Sequence, residues 1–303
     1  MSARRWARAL RLALLAGVLA VVGLVVPDST VAPTEVALVK VKRAQGVDLS
    51  PDVVWILALG SDARPGQVMT RTRADAIQLV GINSRTGAAT AIGVPRDAWV
   101  DLPGYGRNRI NAGLVYGGPQ LMAAAMRNLT GVEADYVMVT RFPFFEDMVD
   151  DIGGITVVNP RRFADPNLKK EGFARGRIRL GGYDAMAFSR IRKGLVDGDF
   201  GRSANQQRTL RGIHAKIVAS KDRPGFLERG VMTVLQHTAT DAGPVELFRI
   251  AQAVAQVDGR KITTCVVPGR LGTAGAASVV FPDVAAARRW GRHAGRDATL
   301  ARC

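Results

Sequence analysis

Val53–Leu59 (VVWILAL), Ala76–Ile82 (AIQLVGI) and Ala88–Val94 (AATAIGV) decide the fold. Each is a short, largely apolar run bounded by polar turn residues, the pattern of a strand inside a covered sheet. The polar turn Asn83–Gly87 joins the second run to the third. Further strands are expected at Tyr136–Thr140, Ile155–Val158, Lys261–Val267 and Ser278–Phe281. Helical periodicity marks Gln120–Leu129 (after Gly117-Gly118-Pro119), Phe144–Asp151, Tyr183–Phe188, Ser203–Ala219, Phe226–His237, Val245–Gln256 and Val284–Arg292. Strands alternating with helices predict an α/β protein, a layered α-β-α domain around a central mixed sheet.

Outward from this domain, the N-terminus differs in kind. Leu12 to Val26 is an uninterrupted apolar run of 15 residues, preceded by Arg4, Arg5, Arg8 and Arg11 with no acid. A basic flank followed by an apolar run is the pattern of a secretory leader or signal anchor. No small-x-small cleavage site follows directly, so a retained anchor is expected, with the N-terminus cytoplasmic and the rest outside. The expected division is a basic cytoplasmic segment 1–11, one transmembrane helix 12–28, a membrane-proximal stalk 29–50 and an extracytoplasmic domain 51–303. The two cysteines, Cys265 and Cys303, permit a disulfide in an exported protein. His214, His237 and His293 are scattered, so no zinc cluster is expected.

The chain of 303 residues carries 42 Lys+Arg against 26 Asp+Glu, a formal charge of +16, and 34 of the bases are arginine. This excess calls for an anionic partner: nucleic acid, phospholipid or a phosphorylated substrate. No Walker-type phosphate loop and no G-x-S-x-G elbow is present. Polar residues instead gather where apolar runs end. Asp62 follows the first strand; Arg73 and Asp75 precede the second; Arg96 and Asp97 follow the third. Ligands of open α/β sheets bind beyond the carboxyl ends of strands. A second gathering is Arg190-Ile191-Arg192, then Asp197-Gly198-Asp199-Phe200-Gly201-Arg202, then Gln206. If the helix ends by Arg190, the two guanidinium groups of Arg190 and Arg192 share a face. Arg202 and Gln206, four apart, fall on one face of the opening turns of the next helix, whose free N–H groups favour phosphate.

These blocks carry a resemblance. Leu59-Gly60-Ser61-Asp62-Ala63-Arg64, Arg73-x-Asp75, Val94-Pro95-Arg96-Asp97, Arg109-Ile110-Asn111-Ala112, Tyr116-Gly117-Gly118-Pro119, Asn128-Leu129-Thr130-Gly131, Gly153-Gly154 and Ala187–Gln206 occur in the order found in the LytR-CpsA-Psr family. The chain is similar to that family over about residues 53–219, and its stretch from about 240 to 290 resembles the actinobacterial extension of such proteins. The resemblance implies a phosphotransferase that moves a glycan phosphate from a polyprenyl-pyrophosphate carrier to a peptidoglycan hydroxyl. It implies Mg²⁺ held by Asp62 and Asp75. It implies a pyrophosphate set of Arg73, Arg96, Arg109, Arg190, Arg192, Arg202 and Gln206, with Asp199 a further charged position. Arg96, Arg190, Arg192, Asp199 and Arg202 are the expected catalytic residues. Arg109 stands where the family usually has Lys, and Ala63 and Ala74 where Ser is common.

Asp75, Asp97 and Asp199 are all candidates for the general base. Leu121, Met122, Met126, Val137, Val139, Phe142 and Phe145 are candidates for an apolar groove that holds the lipid. Two other functions fit the composition: a non-catalytic binder of polyprenyl phosphates or wall anions, and a membrane-tethered transcriptional regulator. Nucleic acid is the least expected partner, because no helix-turn-helix is evident and the basic domain is expected outside the cell.

Overall fold

The computed structural model of the protein describes residues 34–42, 52–226 and 237–303. The expected basic segment, the anchor and nearly all of the helix expected at 226–237 lie outside the described residues. Among the described residues no helix is long and apolar enough to cross a membrane.

Chain order begins with β1 (Val36–Lys40), β2 (Val53–Ser61), β3 (Ala74–Asn83), β4 (Ala89–Gly93) and a hairpin of β5 (Trp99–Leu102) and β6 (Gly106–Arg109). Then come α1 (Ala112–Thr130), β7 (Tyr136–Arg141), α2 (Phe142–Asp151), β8 (Ile155–Asn159), β9 (Phe163–Asp165), β10 (Lys169–Phe173) and β11 (Gly176–Leu180). The remainder is α3 (Gly182–Arg190), α4 (Gly198–Ser220), β12 (Thr238–Thr240), α5 (Pro244–Gln256), β13 (Ile262–Val266), β14 (Gly269–Ala274), β15 (Ala277–Pro282) and α6 (Val284–Ala294).

The central sheet is mixed, as expected, with seven described strands in the order β12-β1-β7-β2-β3-β4-β13. Alternation along the strands separates two cores. Leu57, Leu59, Ile77, Leu79, Ile92, Val137 and Val139 face α1 and α6, where Met122, Met126 and Trp290 meet them. Leu38, Val54, Ile56, Ile82 and Tyr136 face the other way, against Leu247 and Ala253 of α5. A third core around Phe163, Phe173 and Phe188 joins α2, α3 and the small β8–β11 region. α1 and α6 approach closely because Gly291 has no side chain: a Cβ there would lie 2.0 Å from the Thr130 carbonyl oxygen.

Several expectations need correction. Residues 36–40, placed in the stalk, form β1 inside the sheet, parallel to β12 and antiparallel to β7. The helix expected from Gln120 begins at Ala112 and is kinked at Gly118, whose φ of 64° lets Pro119 restart it. The helix expected from Phe144 begins at Phe142. The helix expected from Ser203 begins five residues earlier, at Gly198. Arg202 therefore sits past the first turn, and Asp199 occupies that turn, where a carboxylate suits the helix dipole.

Two devices fasten the ends of the sheet. At β1, Lys40 Nζ lies 2.6 Å from Glu246 Oε2, the Tyr136 hydroxyl donates to Glu246 Oε1, and the Gly243 N–H donates to Oε2 at 3.3 Å. Burial works against the charge on Glu246, but Lys40 and Tyr136 outweigh it and hold the carboxyl below its ordinary range. At the other edge the tail after α6 returns along β4 and β13. Thr90 Oγ1 donates to the Ala298 carbonyl (2.8 Å) and Thr263 Oγ1 to that of Leu300 (2.6 Å). Cys303 then closes the strap by a disulfide to Cys265, 38 residues away.

Cys303→Ser is expected to lower stability by about 2–4 kcal/mol, read as a fall in melting temperature that a reductant reproduces in the wild type and not in the variant. Glu246→Gln is expected to cost about 1–3 kcal/mol at neutral pH. Because folding lowers this pKa, its contribution is full above the unfolded carboxyl value of about 4.3 and fades as the solution is acidified. Urea unfolding of the two proteins should therefore converge in acid, and a gap that widens there would refute the assignment.

Candidate active site

Strand polarity builds the site. β2, β7, β4 and β13 run one way and β3 runs against them. The carboxyl ends of β2 and β4 and the amino end of β3 therefore meet at one edge of the sheet. A register shift opposite Gly60 and Ser61 makes Asp75 the extra residue of a β-bulge, a device that re-aims side chains.

Asp62, Arg73, Asp75, Arg96 and Asp97 lie at this edge. The Arg73 N–H donates to Asp62 Oδ1 (3.0 Å) and the Asp62 N–H to the Arg73 carbonyl (3.1 Å), so the ladder continues past the bulge. The side chain of Arg73 is exposed. Asp75 is largely buried between two cations: Arg96 Nη1 donates to Oδ1, and Arg190 Nη2 lies 3.8 Å from Oδ2. Asp97 is the second hub. Arg192 Nη1 donates to Oδ2 at 3.2 Å, while Arg109 Nε (3.6 Å) and Arg96 Nε (3.9 Å) flank Oδ1. Four guanidinium groups thus converge on two carboxylates and leave an excess of two positive charges. The Nε–H of Arg96 is buried without a hydrogen-bond acceptor among the described residues, a donor suited to an added anion. Burial opposes the charge on Arg96, and Asp75 more than restores it.

α3 ends at Arg190 as expected, and Ile191 turns to extended backbone. Arg190 and Arg192 are not aimed at one point, however, because each faces its own carboxylate. Arg190 also stacks its guanidinium 4.2 Å above the Phe142 ring. Arg202 and Asp199 form an ion pair with both side chains almost fully buried. Burial pushes the Asp199 carboxyl up, partly offset by Arg202, and pushes Arg202 down, partly offset by Asp199.

Gln206, expected to face the pyrophosphate, donates from Nε2 to the carbonyls of Asp75 (3.2 Å) and Ser189 (3.3 Å) and so ties α4 to β3 and α3. Its Oε1 accepts from Gln78 Nε2 at 3.1 Å. Arg109, also expected in that set, donates from Nη2 and Nε to the Ser278 carbonyl (2.6 and 3.1 Å) and joins β6 to β15.

A cavity of about 240 Å³ adjoins this cluster. Its walls are apolar, including Ala58, Met138, Phe142, Phe145 and Ile213, and its polar rim is Gln78, Ser189 and Gln206. Of the expected lipid-groove residues only Phe142 and Phe145 line it. Leu121, Met122, Met126, Val137 and Val139 are plain core, and the strand alternation puts Val137 and Val139 on the opposite face from Met138 and Thr140. Gln78 escaped the sequence reading. Its signal was a lone amide within an apolar strand, where burial obliges a hydrogen-bond network: here Ser203, Gln206 and Gln207.

No group of three or more His, Cys, Asp or Glu side chains suited to a metal exists among the described residues. Asp62 and Asp75 flank the bulge as two hard-oxygen donors. Mg²⁺ takes one or two protein carboxylates when phosphate oxygens and water complete its shell, so the pair fits such an ion in number and kind.

The profile of the LytR_cpsA_psr family matches residues 26–290. A polyisoprenyl-teichoic acid–peptidoglycan teichoic acid transferase, TagU of Bacillus licheniformis, is 34% identical over 174 residues, covering 57% of this chain and 55% of that one. The chain thus spans about half the length of such curated relatives. Among solved structures, B. subtilis TagV superposes with a TM-score of 0.66 at 22% identity, covering 80% of this chain and 97% of that one. A structure of the LytR-CPS2A-psr family protein TagT with bound octaprenyl pyrophosphate lipid gives 0.59 at 19%, covering 78% and 88%. At these identities the structures establish the shared fold.

Asp97→Asn leaves three guanidinium groups facing one another. It is expected to lower stability by about 1–3 kcal/mol, measured by urea unfolding at low salt, and added salt should narrow the difference. An unchanged midpoint would exclude Asp97 as the hub.

Proposed function

The chain belongs to the LytR_cpsA_psr family, and from that premise we propose that it transfers a glycan phosphate from a polyprenyl-pyrophosphate carrier to a peptidoglycan hydroxyl. One observation carries the reading: an apolar cavity ends at a carboxylate-braced cluster of arginines, with Gln206 and Ser189 on the rim of the first and bonded into the second. An isoprenoid beside a diphosphate has the same two-part chemistry. Octaprenyl pyrophosphate in TagT is an occupant of that kind.

In this reading the prenyl end enters the cavity beneath Phe142. Arg190 spans the boundary, with its face on Phe142 and its edge toward Asp75. Arg73, Arg96, Arg192 and Arg202 surround the diphosphate, where planar forks match phosphate oxygens. Asp75 and Asp97 hold the guanidinium groups apart and in place, so little reorganisation is needed as charge develops. The acceptor hydroxyl oxygen attacks the phosphorus nearer the glycan, the bridging P–O bond breaks, and prenyl monophosphate leaves. The hydroxyl proton passes to a carboxylate. Asp199 is the best suited of the three candidates, because burial raises its proton affinity. Phosphoryl transfer needs positioning and charge stabilisation more than a covalent nucleophile. Asp62 and Asp75 would hold Mg²⁺, which when bound supplies further charge neutralisation at phosphate oxygens.

The disulfide suits an oxidising compartment and the basic N-terminal flank suits a cytoplasmic end, so we place the enzyme at the membrane with this domain outside.

Arg190→Ala is the clean test, since Arg190 is partly exposed whereas Arg202 is buried with Asp199 and its removal would strand a charge. Transfer should fall by about 10²–10³-fold and prenyl-pyrophosphate affinity should drop with it, while the melting temperature stays close to wild type. Transfer at the wild-type rate would overturn the proposal, and lipid binding without any turnover in the wild type, given acceptor and Mg²⁺, would make the protein a binder.

A further inference from the structure

A second cationic concavity lies away from the site. It is a cleft of about 400 Å³ between α4 and the β8–β11 pair. In that pair Arg177 sits opposite Val158 and Arg179 opposite Thr156, so all four side chains share the exposed face while Ile155, Val157 and Leu180 face the core. Lys216 of α4 completes the ring from the other wall. Gly212 allows the helix this close, since a Cβ there would lie 3.0 Å from the Thr156 carbonyl oxygen.

The charges in the cleft are uncompensated. Arg179 Nη2 donates to the Gly153 carbonyl (3.0 Å), and neither it nor Arg177 nor Lys216 forms an ion pair among the described residues. Of the two acids in the adjoining turn, Asp150 accepts from the Gly182 N–H (2.7 Å) and Asp151 is exposed, and neither lines the cleft. Three cations in a concavity without carboxylates are the counterpart of the braced cluster at the reaction site. There, counter-ions fix guanidinium groups for chemistry; here, among the described residues, no carboxylate pairs with the cations.

We propose that this cleft is a subsite for the phosphodiester backbone of an anionic polymer, the non-reacting part of the chain being transferred. The identity of the polymer rests on the transferase reading above. Phosphate is the ligand that two arginine forks and one lysine recognise best. The lining holds no aromatic ring on which a sugar could stack. A bilayer contact calls for a flat or convex face with several large apolar insertions, whereas this one is concave and its apolar side chains are Val158, Ala215 and Ala219. The cleft also shares helix α4 with the reaction site. Gln206 and Lys216 stand ten residues apart on α4, about 15 Å along the helix. A polymer whose first phosphate is at the arginine cluster can therefore lay later ones across the helix into the cleft.

The test uses the full chain and poly(glycerol phosphate) oligomers as probe, with inorganic phosphate and phosphatidylglycerol vesicles as controls, by titration calorimetry at low salt. All measurements are repeated in the Arg190→Ala background, so that a failure of the transferase reading leaves polymer binding readable. Arg177→Gln with Lys216→Gln should weaken polymer binding about three- to tenfold and flatten its salt dependence, leaving vesicle binding and prenyl-pyrophosphate affinity unchanged. Ala215→Glu, an exposed position in the same cleft, should weaken the polymer similarly. Unchanged polymer affinity in both variants overturns the proposal. So does an equal loss for vesicles, which would assign the cleft to the membrane, or for inorganic phosphate, which would make it a single-ion site.

Discussion

The ion pair between Asp75 and Arg96 is the interaction on which the rest of the site depends. It joins the amino end of β3 to the loop after β4, two points brought together only because β3 runs against its neighbours. An all-parallel sheet would place the start of β3 at the far side. The bulge opposite Gly60 then fixes where Asp75 emerges, and the helices settle around it: α3 delivers Arg190 to its second oxygen, and α4 delivers Gln206 to its backbone carbonyl. Placed between Arg96 and Arg190, the Asp75 carboxylate keeps two cations side by side that would otherwise repel.

The same logic explains why apolar and ionic chemistry coexist in so small a volume. Gln78, Gln206, Gln207 and Ser203 form a neutral hydrogen-bonded network, with Gln78 and Gln206 lining the cavity and Gln206 bonded to the Asp75 carbonyl. Neutral amides satisfy buried backbone and one another at a lower desolvation cost than charges. They let the apolar wall and the braced arginines meet without leaving these buried amides unpaired. Arg190 joins the two where Phe142, part of the cavity wall, accepts its face.

Much of this was legible in the sequence, and the missing parts share a cause. Five of the seven described strands of the central sheet, all but β1 and β12, read clearly because burial on both faces makes them short apolar runs. The ends of those runs gave Asp62, Asp75, Arg96 and Asp97, since polar residues mark where a strand leaves the core. What did not read was tertiary. Val36–Lys40 lies beside prolines and lysines, and only its partners β7 and β12 make it a strand. The start of α4 was hidden because Gly198 and Gly201 depress helix propensity while packing overrides it. The lipid wall was misplaced because apolar residues at helical or strand spacing look alike whether they line a cavity or fill a core. Only the sheet face distinguishes Met138 from Val137 and Val139.

The excess of arginine divides into groups that do different physical work. Those before Leu12 lie outside the described residues. Those at the sheet edge are braced by Asp75 and Asp97, so they present a fixed array with a residual positive charge, which suits a transition state whose charge must be met without rearrangement. Arg177, Arg179 and Lys216 are unbraced, so their attraction is broad and tolerant, which suits holding a polymer whose position along its length does not matter. Counter-ions, more than the count of cations, therefore separate a site for chemistry from a surface for retention, and the positions of Asp75 and Asp97 draw that line in this fold.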